Sequence, residues 1–240
     1  MYEAIHAIVL KTVKHNDKTR IAHVITREKG RVALAIPEGG GKKSTTYMLW
    51  RPLAILEFQA DFKKTKGLTR PKDVRTYYSY TDLPYNPIKA MTAMFIDELL
   101  SNAIYAEIPD PQLFDFIHYS LRWFDQKKEN TANFHIALAI QLLQFLGIQP
   151  NVEKLPSQSI FDLRAAEFTY NIPMHREWIE GPEALALQSL SRINYRNMHH
   201  FHLNRFQRQR ILEIINIYYS IHVPGFTPLQ SITILKQSLE

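Results

Sequence analysis

Ten histidines and not one cysteine stand among the 240 residues of this chain. The densest imidazole group is Met198-His199-His200-Phe201-His202, while His118 and His135 lie in stretches with a helical period. A histidine can carry a proton near neutrality or hold a metal ion. Either task needs carboxylates or more imidazoles converging on one point. No carboxylate adjoins the 199–202 group, and Asp97-Glu98 reads as a solvated helix face. The lack of cysteine excludes disulfides and thiolate zinc sites, and no serine nucleophile motif is present. Glu38-Gly39-Gly40-Gly41-Lys42-Lys43-Ser44 looks like a phosphate loop, but its spacing fails. A Walker A motif needs glycine five residues before Gly41 and a hydroxyl after Lys42; Ile36 and Lys43 stand there instead. No catalytic constellation emerges, and the expectation is a protein that is not an enzyme.

The remaining chemistry is charge. Residues 1–80 hold 16 Lys/Arg against 7 Asp/Glu, whereas residues 81–240 hold 13 against 16. A basic first third and a slightly acidic remainder imply two domains with different tasks, the first suited to a polyanion. Within it, Ala4–Val13 and Lys18–Thr26 are rich in β-branched residues and flank a polar turn at His15-Asn16-Asp17. After Glu28-Lys29-Gly30, the run Arg31–Ile36 alternates strictly: Val32, Leu34 and Ile36 on one face, Arg31, Ala33 and Ala35 on the other. Tyr47–Phe58 reads as a longer strand interrupted at Arg51-Pro52, where proline removes a ladder donor. Arg75–Tyr80 is a fifth, aromatic strand. Five short strands with basic loops fit an OB-fold barrel that binds nucleic acid; the count alone would also suit an SH3-like barrel. The expected phosphate contacts are Lys11, Lys14, Arg20, Arg27, Lys29, Arg31, Lys42 and Lys43.

Asp82-Leu83-Pro84-Tyr85-Asn86-Pro87 marks a linker, so the expected domains are 1–83 and 84–240. Asn86-Pro87 and Asp110-Pro111 are helix starts, an N-cap followed by proline at the first helical position. A third helix over about 131–146 would show Ile136, Ala139, Ile140 and Leu143 on one face and stop at Gly147. Gly147–Pro182 carries four prolines and no helical period, and is expected to be irregular and held by packing. Glu183–Ile193 and Leu203–Ile221 return to helix, the latter turning Ile211, Ile214, Ile215 and Tyr218 inward. The second domain is therefore expected to be an α-helical bundle of five to seven helices. No apolar run is long enough for a transmembrane helix, nor is a signal peptide evident, and a cytoplasmic, nucleoid-associated location is the expectation.

Glu3-Ala4-Ile5-His6-Ala7-Ile8-Val9-Leu10-Lys11-Thr12, Ile25-Thr26-Arg27-Glu28-Lys29-Gly30-Arg31, Gly41-Lys42-Lys43-Ser44, Arg51-Pro52-Leu53 and Leu56-Glu57 stand in the order found in a known family. With them the sequence resembles the bacterial DNA repair protein RecO family. At the far end, Tyr218-Tyr219-Ser220-Ile221-His222-Val223-Pro224-Gly225-Phe226 and Leu229-Gln230-Ser231 are similar to its closing signature. The resemblance implies an N-terminal OB-fold, a C-terminal helical domain and a recombination mediator. Such a protein binds single- and double-stranded DNA, anneals complementary strands, and acts with RecR to load RecA on DNA coated by single-strand-binding protein. It also implies contact with the acidic, phenylalanine-ending tail of that protein. Arg192, Arg196, Arg205, Arg208 and Arg210, all within 19 positions, are the candidate site, unless they pair with Glu183 or Glu213. The alternative from another class is an RNA-processing enzyme with an OB-fold appendage, using His118, His135 or the 199–202 group.

In one respect the sequence departs from the family. Many members carry four cysteines after the third helix that read as a zinc site, and Gly147–Pro182 has none, offering only His175. No cofactor or metal is expected. Protein purified without an affinity tag should contain no stoichiometric zinc by elemental analysis, and a chelator should leave its Tm unchanged. One tightly held zinc per chain would overturn this reading.

Overall fold

The computed structural model describes residues 1–38, 48–62, 68–152 and 160–238. Two compact units emerge: Met1–Ala93 with Leu100–Gln126, and Met94–Leu99 with Lys127–Glu240.

The first unit is built on five strands, β1 (Glu3–Asn16), β2 (Thr19–Thr26), β3 (Gly30–Pro37), β4 (Ile55–Ala60) and β5 (Lys72–Tyr78), in the order β3-β2-β1-β4-β5. All neighbours are antiparallel. The 14-residue β1 serves two partners, pairing with β4 through Glu3–Ile8 and with β2 through Ala7–Asn16. A register shift between Val9 and Lys11 marks a bulge, which bends one strand enough to share it. A parallel bridge from Leu34 to Thr69, with Ala35 N–H donating to the Thr69 carbonyl at 2.9 Å, brings the approach to β5 beside β3 and closes the barrel. This is the OB-fold rather than an SH3-like barrel. Its core contains Ile5, Ala7, Val9, Ala22, Val24, Leu34, Ile36, Leu56 and Phe58, the inward set of the alternating strands.

The fourth strand differs from its sequence reading. Tyr47 lies outside the described residues, and Leu49–Leu53 is turn and bend, with Leu53 at φ +60°. Trp50 leaves the strand path to plug the barrel, almost fully buried with its ring 5.9 Å from Phe58, so regular pairing begins only at Ile55. The fifth strand begins at Lys72, not Arg75, because an irregularity at Asp73, φ +50°, lets Lys72 pair with Gln59.

Two helices follow, α1 (Pro87–Ala103) and α2 (Pro111–Gln126). Asn86 caps α1 by accepting from the Ile88 and Lys89 N–H groups, and Asp110 accepts from Leu113 N–H at 3.0 Å. Both ends of α1 and all of α2 belong to the barrel's unit. The second unit contains α3 (Phe134–Phe145), α4 (Gly181–Leu190), α5 (Arg205–His222) and α6 (Ser231–Ser238), with a short 3-10 turn at Met198–His200. Its α3 is buried all round from Phe134 to Ile140, not on one face only, which makes it the unit's central helix. In α5, Ile211, Ile214, Ile215 and Tyr218 are buried as the period requires.

Gly147–Pro182 is not simply irregular. It holds a small antiparallel sheet, β6 (Ile160–Asp162), β7 (Glu167–Thr169) and β8 (Trp178–Ile179), in the order β7-β6-β8. Strands of two or three residues are too short to display a period. Packing of Phe161 on Phe168, centroids 4.9 Å apart, is joined by an ionic knot. His175 lies 3.2 Å from Asp162 and 3.4 Å from Glu177, and Arg164 reaches Glu177 at 3.0 Å. Among the described residues, no group of three or more His, Cys, Asp or Glu side chains is arranged to hold a metal ion.

The first unit also contains a buried carboxylate, Asp125, near the end of α2. It accepts from the N–H groups of Thr81, Asp82 and Leu83 and from the hydroxyls of Thr81 and Tyr78. Burial alone would raise its pKa; the three backbone donors and Tyr78 outweigh burial and hold it at about 2. A folded pKa below the unfolded one contributes stability at neutral pH that disappears as pH falls from about 4 toward 2. The shift from 3.8 to about 2 corresponds to about 2 kcal/mol. Asp125→Asn should therefore lower stability at pH 7 by about 2 kcal/mol or more, since its amide cannot accept every bond. Denaturant titrations from pH 7 to 2 should show the difference from wild type narrowing below pH 4.

Candidate functional site

Six of the eight candidate phosphate contacts lie among the described residues, and they divide by what they touch; Lys42 and Lys43 lie outside. Arg31 points from the outer face of β3 under the end of α1, where its guanidinium donates to the Ser101 carbonyl at 3.0 Å and to that of Ile104. Those carbonyls lack intrahelical partners, so a cation there both caps the helix and complements its dipole. Burial holds the Arg31 pKa below the ordinary value. Arg27 forks onto Asp115 of α2 at 2.9 and 3.0 Å, raising its own pKa and lowering that of the carboxylate. Arg20 pairs with Glu38 at 3.1 Å and Lys29 with Glu3 at 2.8 Å.

The hairpin joining β1 and β2 is different. Lys11, Lys14 and Lys18 are exposed there. Lys14 has only a 3.4 Å contact with the almost fully exposed Asp17, and no carboxylate among the described residues pairs with Lys11 or Lys18. Lys11 sits opposite His23, and Lys14 opposite Arg20. Like charges directly opposite are unfavourable without a counter-charge. The His23 pKa is lowered by burial first, then by Arg31 and Lys11. Sequence reasoning passed over Lys18, and also Lys72, whose ammonium sits 4.5 Å over the half-exposed Tyr2 ring. A strand-edge cation beside an exposed aromatic is a readable signal for nucleic acid, but Tyr2 and Lys72 are 70 positions apart.

The five candidate partner arginines differ in what they touch. Arg208 donates to the Leu203 carbonyl at 2.7 Å and shapes the entry to α5. Arg192 lines a polar cavity of about 620 Å³ with Gln141, Gln144 and Gln149. Arg196 is exposed and Arg205 half-buried. Arg210 stands at an apolar cavity of about 300 Å³ whose walls include Ile140, Leu187, Leu190, Leu203, Ile211 and Ile214. Phe206, 78% exposed, belongs to the same lining. Arg210 makes the ion pairs that the sequence left open, bidentate with Glu183 and a 3.5 Å contact with Glu213.

The candidate histidines are placed in different surroundings. His135 is buried in α3, and burial, helped by Arg208, lowers its pKa to about 4. His118 is wedged between Tyr77 and Phe114, with its pKa lowered chiefly by burial. His199 and His200 stack on each other at 3.9 Å and are exposed. Among the described residues, no helix is long and apolar enough to cross a membrane.

Comparison with known proteins adds an independent line. Residues 1–80 match the family described as Recombination protein O N terminal, and residues 84–231 match Recombination protein O C terminal. The DNA repair protein RecO of Phocaeicola vulgatus is 36% identical over 231 residues, covering 96% of each chain. That of Bacteroides fragilis is 38% identical over 232 residues, again 96% of each. That of Flavobacterium johnsoniae is 27% identical over 235 residues and 96% of each chain.

The division among cations leads to a paired test. Replacing Lys11, Lys14 and Lys18 together by alanine should weaken single-stranded DNA binding and make the log–log salt slope shallower by about 2, at about 0.7 per lost phosphate contact. Arg31→Ala should instead lower Tm while the remaining folded protein keeps its DNA affinity. Fluorescence anisotropy at several salt concentrations, with thermal melts of each variant, checks both.

Proposed function

The chain belongs to the recombination protein O family of DNA repair proteins, and from that premise we propose that it is a non-catalytic recombination mediator. In this reading the barrel domain, residues 1–83, binds single- and double-stranded DNA through the β1–β2 hairpin, joined by Lys42 and Lys43. Complementary strands anneal because cations hold each backbone and reduce its repulsion of the other. The helical domain, residues 84–240, takes the acidic tail of single-strand-binding protein, and with RecR the protein helps load RecA on the coated strand. The work belongs to the cytoplasm, at the nucleoid.

The observation that carries the reading is the set of exposed hairpin lysines left without strong carboxylate partners, while the arginines nearby are spent on intramolecular bonds. A lysine is a mobile point charge suited to sequence-independent contact. The tail assignment draws on a second feature, an apolar cavity with a guanidinium in its lining. That pairing suits a peptide bearing carboxylates and a terminal aromatic ring.

Annealing of two complementary labelled oligonucleotides, in chelator and without nucleotide, tests the reading. The protein should accelerate duplex formation at low salt, less so as salt rises, and leave both strands intact. A requirement for metal or nucleotide, or shortening of either an RNA or a DNA strand, would turn the assignment toward an enzyme.

A further inference from the structure

The cationic group at the apolar cavity already holds one of the chain's own carboxylates. Glu183, in the first turn of α4, accepts from Arg210 Nε at 2.7 Å and from Nη2 at 2.9 Å. Those two donors form one edge of the guanidinium fork, the edge that grips a carboxylate bidentately. The second carboxylate, Glu213, meets only Nη1, at 3.5 Å. Glu183 and Arg210 both belong to the cavity lining, and Phe206 is exposed beside them.

We propose that Glu183 competes with the carboxylate of the acidic peptide for the Arg210 guanidinium, and is released from it when the peptide's terminal ring enters the cavity; this rests on the reading of that cavity given above. Three observations make the exchange feasible. The pair is half-exposed, with side-chain accessibilities of 47% for Arg210 and 36% for Glu183, so solvent screens it and its rupture is inexpensive. A released Glu183 stays in the first turn of α4, where negative charge is favoured by the helix dipole. The exchange also conserves bonds, since one arginine–carboxylate fork replaces another. Net affinity must therefore come from burying the ring among Ile140, Leu187, Ile211 and Ile214. A ligand with carboxylates alone gains nothing by the exchange, so Glu183 makes the site select for acid and ring together.

The test uses the full chain and two fluorescein-labelled peptides of four aspartates each, one ending in phenylalanine and one in alanine. Wild type should bind the first and hardly the second. Glu183→Gln should bind the phenylalanine peptide about three- to fivefold more tightly, the upper part of the range for a half-exposed ion pair. Glu213→Gln removes the same charge without freeing the fork and should change affinity less than about twofold. Ala186→Phe, which fills the cavity from α4, should abolish binding; thermal melts confirm folding of each variant. If Ala186→Phe abolishes binding but Glu183→Gln matches or falls below wild type, the competitor role is overturned and the cavity reading survives. An equal gain in Glu213→Gln would reduce the effect to bulk charge and also overturn it. If Ala186→Phe binds normally, the peptide sits elsewhere and both readings fall.

Discussion

The carboxylate of Asp125 is the constraint on which the first unit's architecture rests. A buried carboxylate is costly unless its lone pairs are filled, and here the donors come from three consecutive residues of one segment, Thr81 to Leu83. Those residues leave β5 and lead into α1. Tyr78, at the end of β5, and the backbone of the linker are thus bound to one point on α2. Lys89 adds to the same knot by donating to the Asp125 carbonyl at 2.8 Å and pairing with Asp82 at 2.7 Å. Asn86 can cap α1 because the chain has been turned there, its N–H and that of Tyr85 both donating to the Asp82 carbonyl. The segment that composition marks as a linker is in fact among the most heavily bonded parts of the unit.

A second constraint follows at the opposite end of α1. Gly30 opens β3 at φ +67°, and a Cβ there would lie 2.6 Å from the Glu107 carbonyl oxygen. Only glycine permits that approach. The next residue, Arg31, donates its N–H to the Ala106 carbonyl and its side chain to the end of α1. Ser101 completes the contact by donating to the Leu10 carbonyl, at the bulge that lets β1 bend. The turn that sequence reading treats as a hairpin connection is therefore also a docking point for helix.

This explains what was legible in the sequence. Strand identity was legible for β1 to β3, which pair through short turns and whose alternation needs no distant information: Val32, Leu34 and Ile36 share one face as read, and that face meets the core. Helix starts at Asn86-Pro87 and Asp110-Pro111 were, since capping is local. The roles of the cations were not. Arg31 and Lys11 have the same sign and similar sequence settings. What separates them is whether a helix end about 70 residues away covers that part of the sheet. Trp50 was misread because a barrel plug has no period, and β6 to β8 because two or three residues cannot show one. The Asp162–His175–Glu177 knot joins positions with no spacing rule, so it left no trace in the pattern either.

The arginines of the helical unit carry the same lesson into electrostatics. Five of them within 19 positions read as one basic patch, yet charge count along a chain is not charge available to a ligand. Arg208 is committed to the Leu203 carbonyl, and Arg210 to Glu183 from 27 positions away. For Arg210 the commitment converts a long-range field into a short-range bond with Glu183, whereas the exposed Arg192 and Arg196 have no such pairing among the described residues. In the barrel, by contrast, the hairpin lysines keep their field and suit diffuse capture of a polyanion. What separates the hairpin lysines from Arg210 is the acidic residue that the fold brings beside the latter.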